Sequence, residues 1–264
     1  MAGKSVRVER KGRIALVRFD RSDQLNALSV GLMEELIEAA RSFEDDLETT
    51  AVVLTGSPTS FSAGMDLGDP RTMEAMHAPL GERRRLMAYG PRMCRAWESM
   101  EQVTIAAIEG FCVGGGVSLA VACDFRIMGR SAIVRVPELG LGMNMSWQTL
   151  PRLVHLVGPA RSKQIVIFGE KVNSEQALTW GLVEAVADDG GTVSEAMKWA
   201  EKAAAMPPLP VRMTKQTINM AATALDNAVS YMDVDQFILC QMTEDQVEGL
   251  SAFRDKRKGS FKGR

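Results

Sequence analysis

The run Gly110-Phe111-Cys112-Val113-Gly114-Gly115-Gly116-Val117-Ser118-Leu119-Ala120-Val121-Ala122-Cys123-Asp124 decides how this chain folds. It follows an apolar, strand-like segment, Val103–Ile108. Gly110 and the glycine triplet therefore punctuate the exit from a strand, and the small residues at 117–122 suit a buried helix packed closely on a sheet. Upstream, Ile14–Phe19 reads as a strand and 20–24 as a polar turn, after which Ser29 can cap a helix that places Met33, Leu36, Ile37 and Ala40 on one face. Ala51–Thr55 is a second strand, broken by Gly56-Ser57-Pro58. The polar stretch 69–95 carries helical charge patterns and no clean strand, and is expected to be the most variable region. Short strands near 125–128 and 132–136 lead into Pro137-Glu138. Alternation of this kind predicts an α/β core with crossover helices covering the strands.

From Pro151 onward the pattern is almost wholly helical. Ser174 is an expected N-cap, Gly181 an expected helix stop, and Thr192-x-x-Glu195 has the form of a capping box. Pro207-Pro208-Leu209-Pro210 reads as a linker, followed by amphipathic helices within 211–221, 228–239 and 247–253. The expected organisation is a core over residues 1–206 and a helical domain over 207–264.

The chain has 264 residues, 46% of them hydrophobic, enough for a sizeable core. Its 31 Lys+Arg and 33 Asp+Glu nearly cancel, so no net field favours nucleic acid or a membrane surface. Any phosphate binding must come from a local cluster, of which Arg254, Lys256, Arg257, Lys258, Lys262 and Arg264 form the densest. Cys94, Cys112, Cys123 and Cys240 are scattered without metal-ligand spacing and read as reduced thiols, Cys112 and Cys123 in the core. No metal is expected. The N-terminus lacks an apolar leader and no run reaches the ~18 apolar residues of a span, so a soluble, cytoplasmic protein is expected.

Several motifs fail. Gly3-Lys4-Ser5 lacks the upstream glycine and strand of a phosphate-binding loop, and the triplet does not complete a dinucleotide fingerprint. Gly116-Val117-Ser118-Leu119-Ala120 approximates a nucleophile elbow, for which His155 is the available base. His155 sits in an apolar segment and reads better as a structural histidine, so a serine hydrolase is a secondary alternative.

Two glycine turns at strand ends, Phe61-Ser62-Ala63-Gly64-Met65-Asp66-Leu67 and the run from Gly110, can each present unshielded backbone N–H groups. Two such amides aimed at one point form an oxyanion hole. Taken singly, either turn needs no more than tight packing to explain it. In order, these two with Gln24-Leu25-Asn26-Ala27-Leu28, Pro137-Glu138-Leu139-Gly140-Leu141-Gly142 and Glu248-Gly249-Leu250-Ser251-Ala252-Phe253 resemble the crotonase (enoyl-CoA hydratase/isomerase) superfamily from about residue 10 onward.

The resemblance implies a spiral of ββα units with a C-terminal helical domain, assembled as a homotrimer or hexamer. It implies an acyl-CoA thioester as substrate, with coenzyme A part of that substrate and no further cofactor. The thioester oxygen is held in that family by two amides, mapped here onto Ala63 and Gly115. Leu25, Ala27, Ala63, Asp66 and Leu67 map onto the CoA pocket, and Phe253 and Lys256 onto a segment that closes over the nucleotide.

Hydratases of the family use two glutamates. Glu138 fills the second position, and the first is Ser118, whose hydroxyl can hydrogen-bond but cannot act as a general base. One-carboxylate members are typically double-bond isomerases, so isomerisation is favoured over hydration. Hydration through Glu138 and a bound water, and a non-catalytic acyl-CoA-binding protein, are the alternatives. Asp66, Asp69, Glu74 and Glu82, in or near the variable stretch, are the other carboxylates that could restore the pair, although each reads more simply as a surface charge. Asn144-Met145-Ser146-Trp147-Gln148 departs from the family's glycines and proline, and Trp147 narrows the acyl pocket if it points inward.

Overall fold

Through residues 51–135 successive strands alternate between two sheets, and that alternation builds the core. The computed structural model describes residues 5–21 and 24–264. The Gly3-Lys4 motif and part of the 20–24 turn lie outside them. The elements in order are β1 (Val6–Lys11), β2 (Ile14–Phe19), α1 (Val30–Arg41), β3 (Ala51–Thr55), β4 (Ser60–Ser62), α2 (Pro70–His77), α3 (Leu80–Leu86), α4 (Tyr89–Glu98), β5 (Val103–Ile108), β6 (Phe111–Val113) and α5 (Gly115–Val121). They continue with β7 (Phe125–Gly129), β8 (Ile133–Arg135), α6 (Thr149–Phe168), β9 (Val172–Asn173), α7 (Ser174–Trp180), β10 (Ala185–Ala187) and α8 (Thr192–Ala204). The last helices are α9 (Pro208–Ala222), α10 (Asp226–Ser230), α11 (Asp233–Cys240) and α12 (Glu244–Arg254).

One sheet runs β1-β2-β3-β5-β7-β10 and the other β4-β6-β8-β9. The pairs β3–β4, β5–β6 and β7–β8 each step from the first sheet to the second, and neighbours within a sheet are parallel except at β1–β2 and β8–β9. This is the expected spiral of ββα units. β3 is buried along its whole length, as a strand covered on both faces must be. Phe19 and Phe61 meet edge-to-face at 5.2 Å where the two sheets approach. Ser29 caps α1 as expected, accepting from Leu32 N at 3.1 Å, and α5 is buried throughout.

The 69–95 stretch forms α2, α3 and α4, as its helical charge pattern predicts, with Asp69 as the cap of α2. Several other elements differ from expectation. Two short strands, β9 and β10, interrupt the helical second half, because each completes an edge of a sheet whose other strands lie far upstream in sequence. The cap of α7 is Asn173, paired reciprocally with Gln176, while the Ser174 hydroxyl donates to Arg130 O. Thr192 opens α8 and donates to Glu109 Oε1 at 2.7 Å instead of capping. The 207–210 segment enters α9 directly, since proline suits the first turn of a helix, and 228–239 is broken between α10 and α11.

The C-terminal helices dock on the core through buried polar anchors. Arg212 donates to Asp46 O and Thr49 O, and Lys215 to Gln102 O while pairing with Asp124. Further along, Gly249 of α12 lies against the backbone of Leu141, where an added Cβ would sit 2.8 Å from Leu141 O. Among the described residues no helix is long and apolar enough to cross a membrane. Gly249→Val should force α12 off this turn at a cost of about 1–3 kcal/mol, the range for overpacking. A lower Tm with early proteolysis after residue 240 is the expected result, and a wild-type melting curve would show that the contact is slack.

Candidate active site

Three glycines in a row at 114–116 have three different neighbours. Gly114 has a left-handed φ of 51°, and a side chain there would run into Glu138 Oε1. A Cβ on Gly115 would meet the Trp147 indole, and one on Gly116 would lie 2.9 Å from Ser62 Cβ. The glycine turn is thus the surface onto which a carboxylate, an aromatic wedge and the other glycine turn all pack. At the other turn, a Cβ on Gly64 (φ 90°) would be 3.2 Å from Gly115 N, so the two turns adjoin.

The amides of these turns sort themselves by hydrogen bonding. Ala63 N–H donates to Leu25 O at 3.0 Å, Gly64 N–H to Ser62 Oγ at 3.1 Å and Asp66 N–H to Leu28 O at 3.0 Å. Met65 N–H has no acceptor among the described residues. Ala63 is therefore no oxyanion donor: its proton is engaged within the fold, and Met65, two residues on and next to Gly64 where the two turns adjoin, carries a free amide. Gly115 N–H stands in the first turn of α5, where no intrahelical acceptor exists.

Glu138 opens a short 3₁₀ turn, Glu138–Leu141, at the cavity wall. Its Oε2 is shut off from solvent and has no partner. Burial pushes the carboxyl from its ordinary value of 4.5 up to about 7, slightly offset by its own backbone amide. Ser118 is fully buried. Its oxygen lies 2.7 Å from Thr149 Oγ1 and 3.4 Å from Gly114 O, and Thr149 Oγ1 lies 2.6 Å from Ser146 O. Two hydroxyl protons can make only two of these three contacts at a time, and Ser118 keeps acceptor capacity for a ligand.

A cavity of about 540 Å³ is lined by Leu25, Ala27, Ala63, Asp66, Leu67 and Phe253 and ends at Glu138. Beyond it a blind end of about 50 Å³ is bounded by Gly115, Ser118, Glu138, Asn144, Trp147 and Phe237. Trp147 does point inward. Its left-handed backbone (φ 62°) is held by Arg152, which donates to Trp147 O at 2.8 Å and grips Glu98 with two hydrogen bonds.

The other residues singled out from the sequence fall elsewhere. Asp66 lines the cavity but pairs with Arg21 at 2.7 Å and accepts from Gly68 N. Asp69 caps α2, and Glu74 and Glu82 are exposed on α2 and α3. Lys256 is exposed past the end of α12 and does not line the cavity, whereas Arg135 and Lys171, which nothing in the sequence marked, do. Arg257 and Arg264 of the basic tail pair with Glu248 and Glu244. His155 bonds Asp226 at 2.9 Å and not Ser118, which removes the serine hydrolase reading. A separate apolar cavity of about 690 Å³ under α9 contains neither Glu138 nor the free amides. No group of three or more metal-ligating side chains occurs among the described residues.

Comparison with known proteins agrees with this arrangement. A family model described as enoyl-CoA hydratase/isomerase matches residues 9–264. The crotonyl-CoA hydratase of Syntrophomonas wolfei is 35% identical over 263 residues, covering 99% of each chain. The short-chain-enoyl-CoA hydratase of Clostridium acetobutylicum is 34% identical over 98% of each. The crystal structure of carnitinyl-CoA hydratase from Mycobacterium avium superposes with a TM-score of 0.86 at 29% identity over 100% of both chains. The chain belongs to the enoyl-CoA hydratase/isomerase family of the crotonase superfamily.

The raised Glu138 carboxyl has a consequence for stability. An unfolded chain ionises this group near 4.5 and the folded one near 7, so its contribution is full below about pH 4.5 and is lost as pH rises to 7. Above that, charging it in place costs at most ~3.5 kcal/mol, at ~1.4 kcal/mol per pH unit. Glu138→Gln is free of this cost. Its Tm relative to wild type should climb between pH 5 and pH 8, whereas a pH-independent difference would mean that the carboxyl titrates like a solvated one.

Proposed function

We propose that this protein binds a short-chain acyl-CoA thioester and catalyses reversible addition of water to its 2-enoyl form. Glu138 is the single acid–base group, and the Met65 and Gly115 N–H groups hold the thioester oxygen. What carries the reading is one juxtaposition: a buried, half-unpartnered carboxylate beside two adjoining turns with free amides, where a long cavity meets a small blind end. The names of the relatives at 34–35% identity support hydration.

The steps follow from charge. As water attacks C3, Glu138 takes its proton, and the C2=C3 electrons move onto the thioester oxygen as an enolate. Two preorganised N–H donors stabilise that oxygen, each worth ~10²–10³ in rate in a comparable site. Glu138 then returns a proton to C2, closing the balance: one water added and the base restored. A carboxyl near pKa 7 suits both directions of transfer at neutral pH. Because one group serves both carbons, addition is syn. The nucleotide end of CoA lies along Leu25, Ala27, Ala63, Asp66, Leu67 and Phe253, with Arg135 and Lys171 as nearby cations. Exposed apolar side chains of α9, among them Met213, Ile218 and Met220, suit burial between copies in a homotrimer or hexamer.

Double-bond isomerisation is the second reading, favoured by Ser118 where a second carboxylate would stand. In it Glu138 carries a proton from C2 to C4 across the same enolate. The hydroxyl chain from Ser118 through Thr149 to Ser146 gives Ser118 a packing role that needs no change of reaction, and this weakens the inference from its identity.

A panel of 2-enoyl and 3-enoyl CoA esters, read by thioester ultraviolet absorbance, separates the two. Loss of absorbance with 2-butenoyl-CoA is expected; a gain with 3-enoyl esters and no loss with 2-enoyl esters would mean isomerisation instead. Trp147→Ala opens the blind end and should raise kcat/KM for an eight-carbon 2-enoyl ester at least ~10-fold relative to the four-carbon one, the scale of a few methylene contacts. An unchanged ratio would show that Trp147 does not set chain length.

A further inference from the structure

At the blind end, Glu138 Oε2 and Asn144 Oδ1 are both closed off from solvent without a hydrogen-bond partner. Both residues line the same space of about 50 Å³, and Ser118 lines it with them. The Ser118 oxygen, 2.7 Å from Thr149 Oγ1 and 3.4 Å from Gly114 O, also faces this space and has a lone pair with which to accept. Two unpartnered acceptors and the Ser118 oxygen thus border one small space, whose lining also includes Met65 and Gly115, the amides assigned above to the thioester oxygen. Buried acceptors in native proteins find donors, and a space of this size admits a water or a hydroxyl group.

The backbone holds Asn144 in relation to Glu138. Met143 N–H donates to Glu138 O at 3.0 Å, Gly142 turns with φ 71° and Trp147 is fixed by Arg152, so the residue is tethered on both sides. We propose that Asn144 is a positioning residue for the hydroxylic oxygen of the reaction: the attacking water in one direction and the 3-hydroxyl of the acyl group in the other. The inference rests on the hydration reading above. Water donates one proton to Asn144 Oδ1 and the other to Glu138, which turns a lone pair toward C3. When the O–C3 bond forms, Glu138 takes its proton, the π electrons pass to the thioester oxygen, and the proton is then returned to C2. Asn144 keeps its hydrogen bond throughout and exchanges no proton.

Asn144→Leu preserves size and removes the acceptor. Hydration of 2-butenoyl-CoA should lose roughly 10–10² in kcat, the scale of a misplaced reactant, with KM within a few-fold. Exchange of the C2 hydrogens of butanoyl-CoA in D₂O, which needs no water in the blind end, should persist. Asn144→Asp restores an acceptor and should recover hydration with its pH optimum moved upward, since a second carboxylate in the space raises the pKa of Glu138. Undiminished hydration in Asn144→Leu overturns the proposal, and so does joint loss of hydration and exchange, which marks a packing role. A wild-type protein that isomerises 3-enoyl esters and does not hydrate 2-butenoyl-CoA overturns instead the reading on which the proposal rests.

Discussion

Everything in the site depends on the seating of the Pro137-Glu138 turn. On one side Gly114 admits the carboxylate because it has no Cβ, and on the other Gly249 of α12 lies against Leu141 at the end of the same turn. Clamped between them, Glu138 loses water without gaining a cation, and desolvation alone lifts its pKa. A salt-bridged carboxylate in the same place would be a weaker base and would already be satisfied. In the proposed reaction, the stability given up here is the counterpart of proton transfer at neutral pH, a trade that perturbed groups at functional sites commonly show.

The acyl side is held by a second set of buried charges. Trp147 and Gln148 both adopt left-handed backbone conformations, at φ 62° and 59°, that non-glycine residues rarely take. Such conformations persist only where the surroundings over-determine them. Arg152 bonds Trp147 O while paired with Glu98, and Asp233 of α11 accepts from Gln148 N at 2.8 Å. The indole is thereby pressed against Gly90 of α4 and Gly115 of the second glycine turn. The half-buried Arg152–Glu98 pair acts here as a device for conformation; as a source of net stability such pairs contribute little. The C-terminal helices thus contribute Phe237 and Phe253 to the cavity walls and Asp233 to the support of Gln148.

Much of this is legible in the sequence, because the decisive features are local. The glycine turns, the Pro-Glu turn, the Ser29 cap and the buried run after the triplet each announce themselves within ten residues. What stays hidden depends on contacts between distant segments. β9 and β10 exist because they complete edges of sheets begun upstream. Ala63 and Met65 are indistinguishable as donors until Leu25 O is seen to take the Ala63 proton. Lys171 and Arg135 reach the cavity through sheet topology, which no spacing encodes, and Lys256, one turn past Phe253, leaves it. Asn144 is visible in the sequence only as a departure from the family's pattern, and its meaning requires the cavity.

The central claim is that Glu138 is the group that moves the proton at C2. Its most direct test is exchange at that carbon without any net reaction. Purified wild-type protein and Glu138→Gln would each be incubated with butanoyl-CoA in D₂O, and deuterium at C2 followed by mass spectrometry. Wild type should incorporate deuterium, and the variant should be slower by ~10²–10⁴-fold, the usual worth of a placed acid–base group, while still binding the ester. Exchange at the wild-type rate in the variant would contradict the account, because some other group would then be the base.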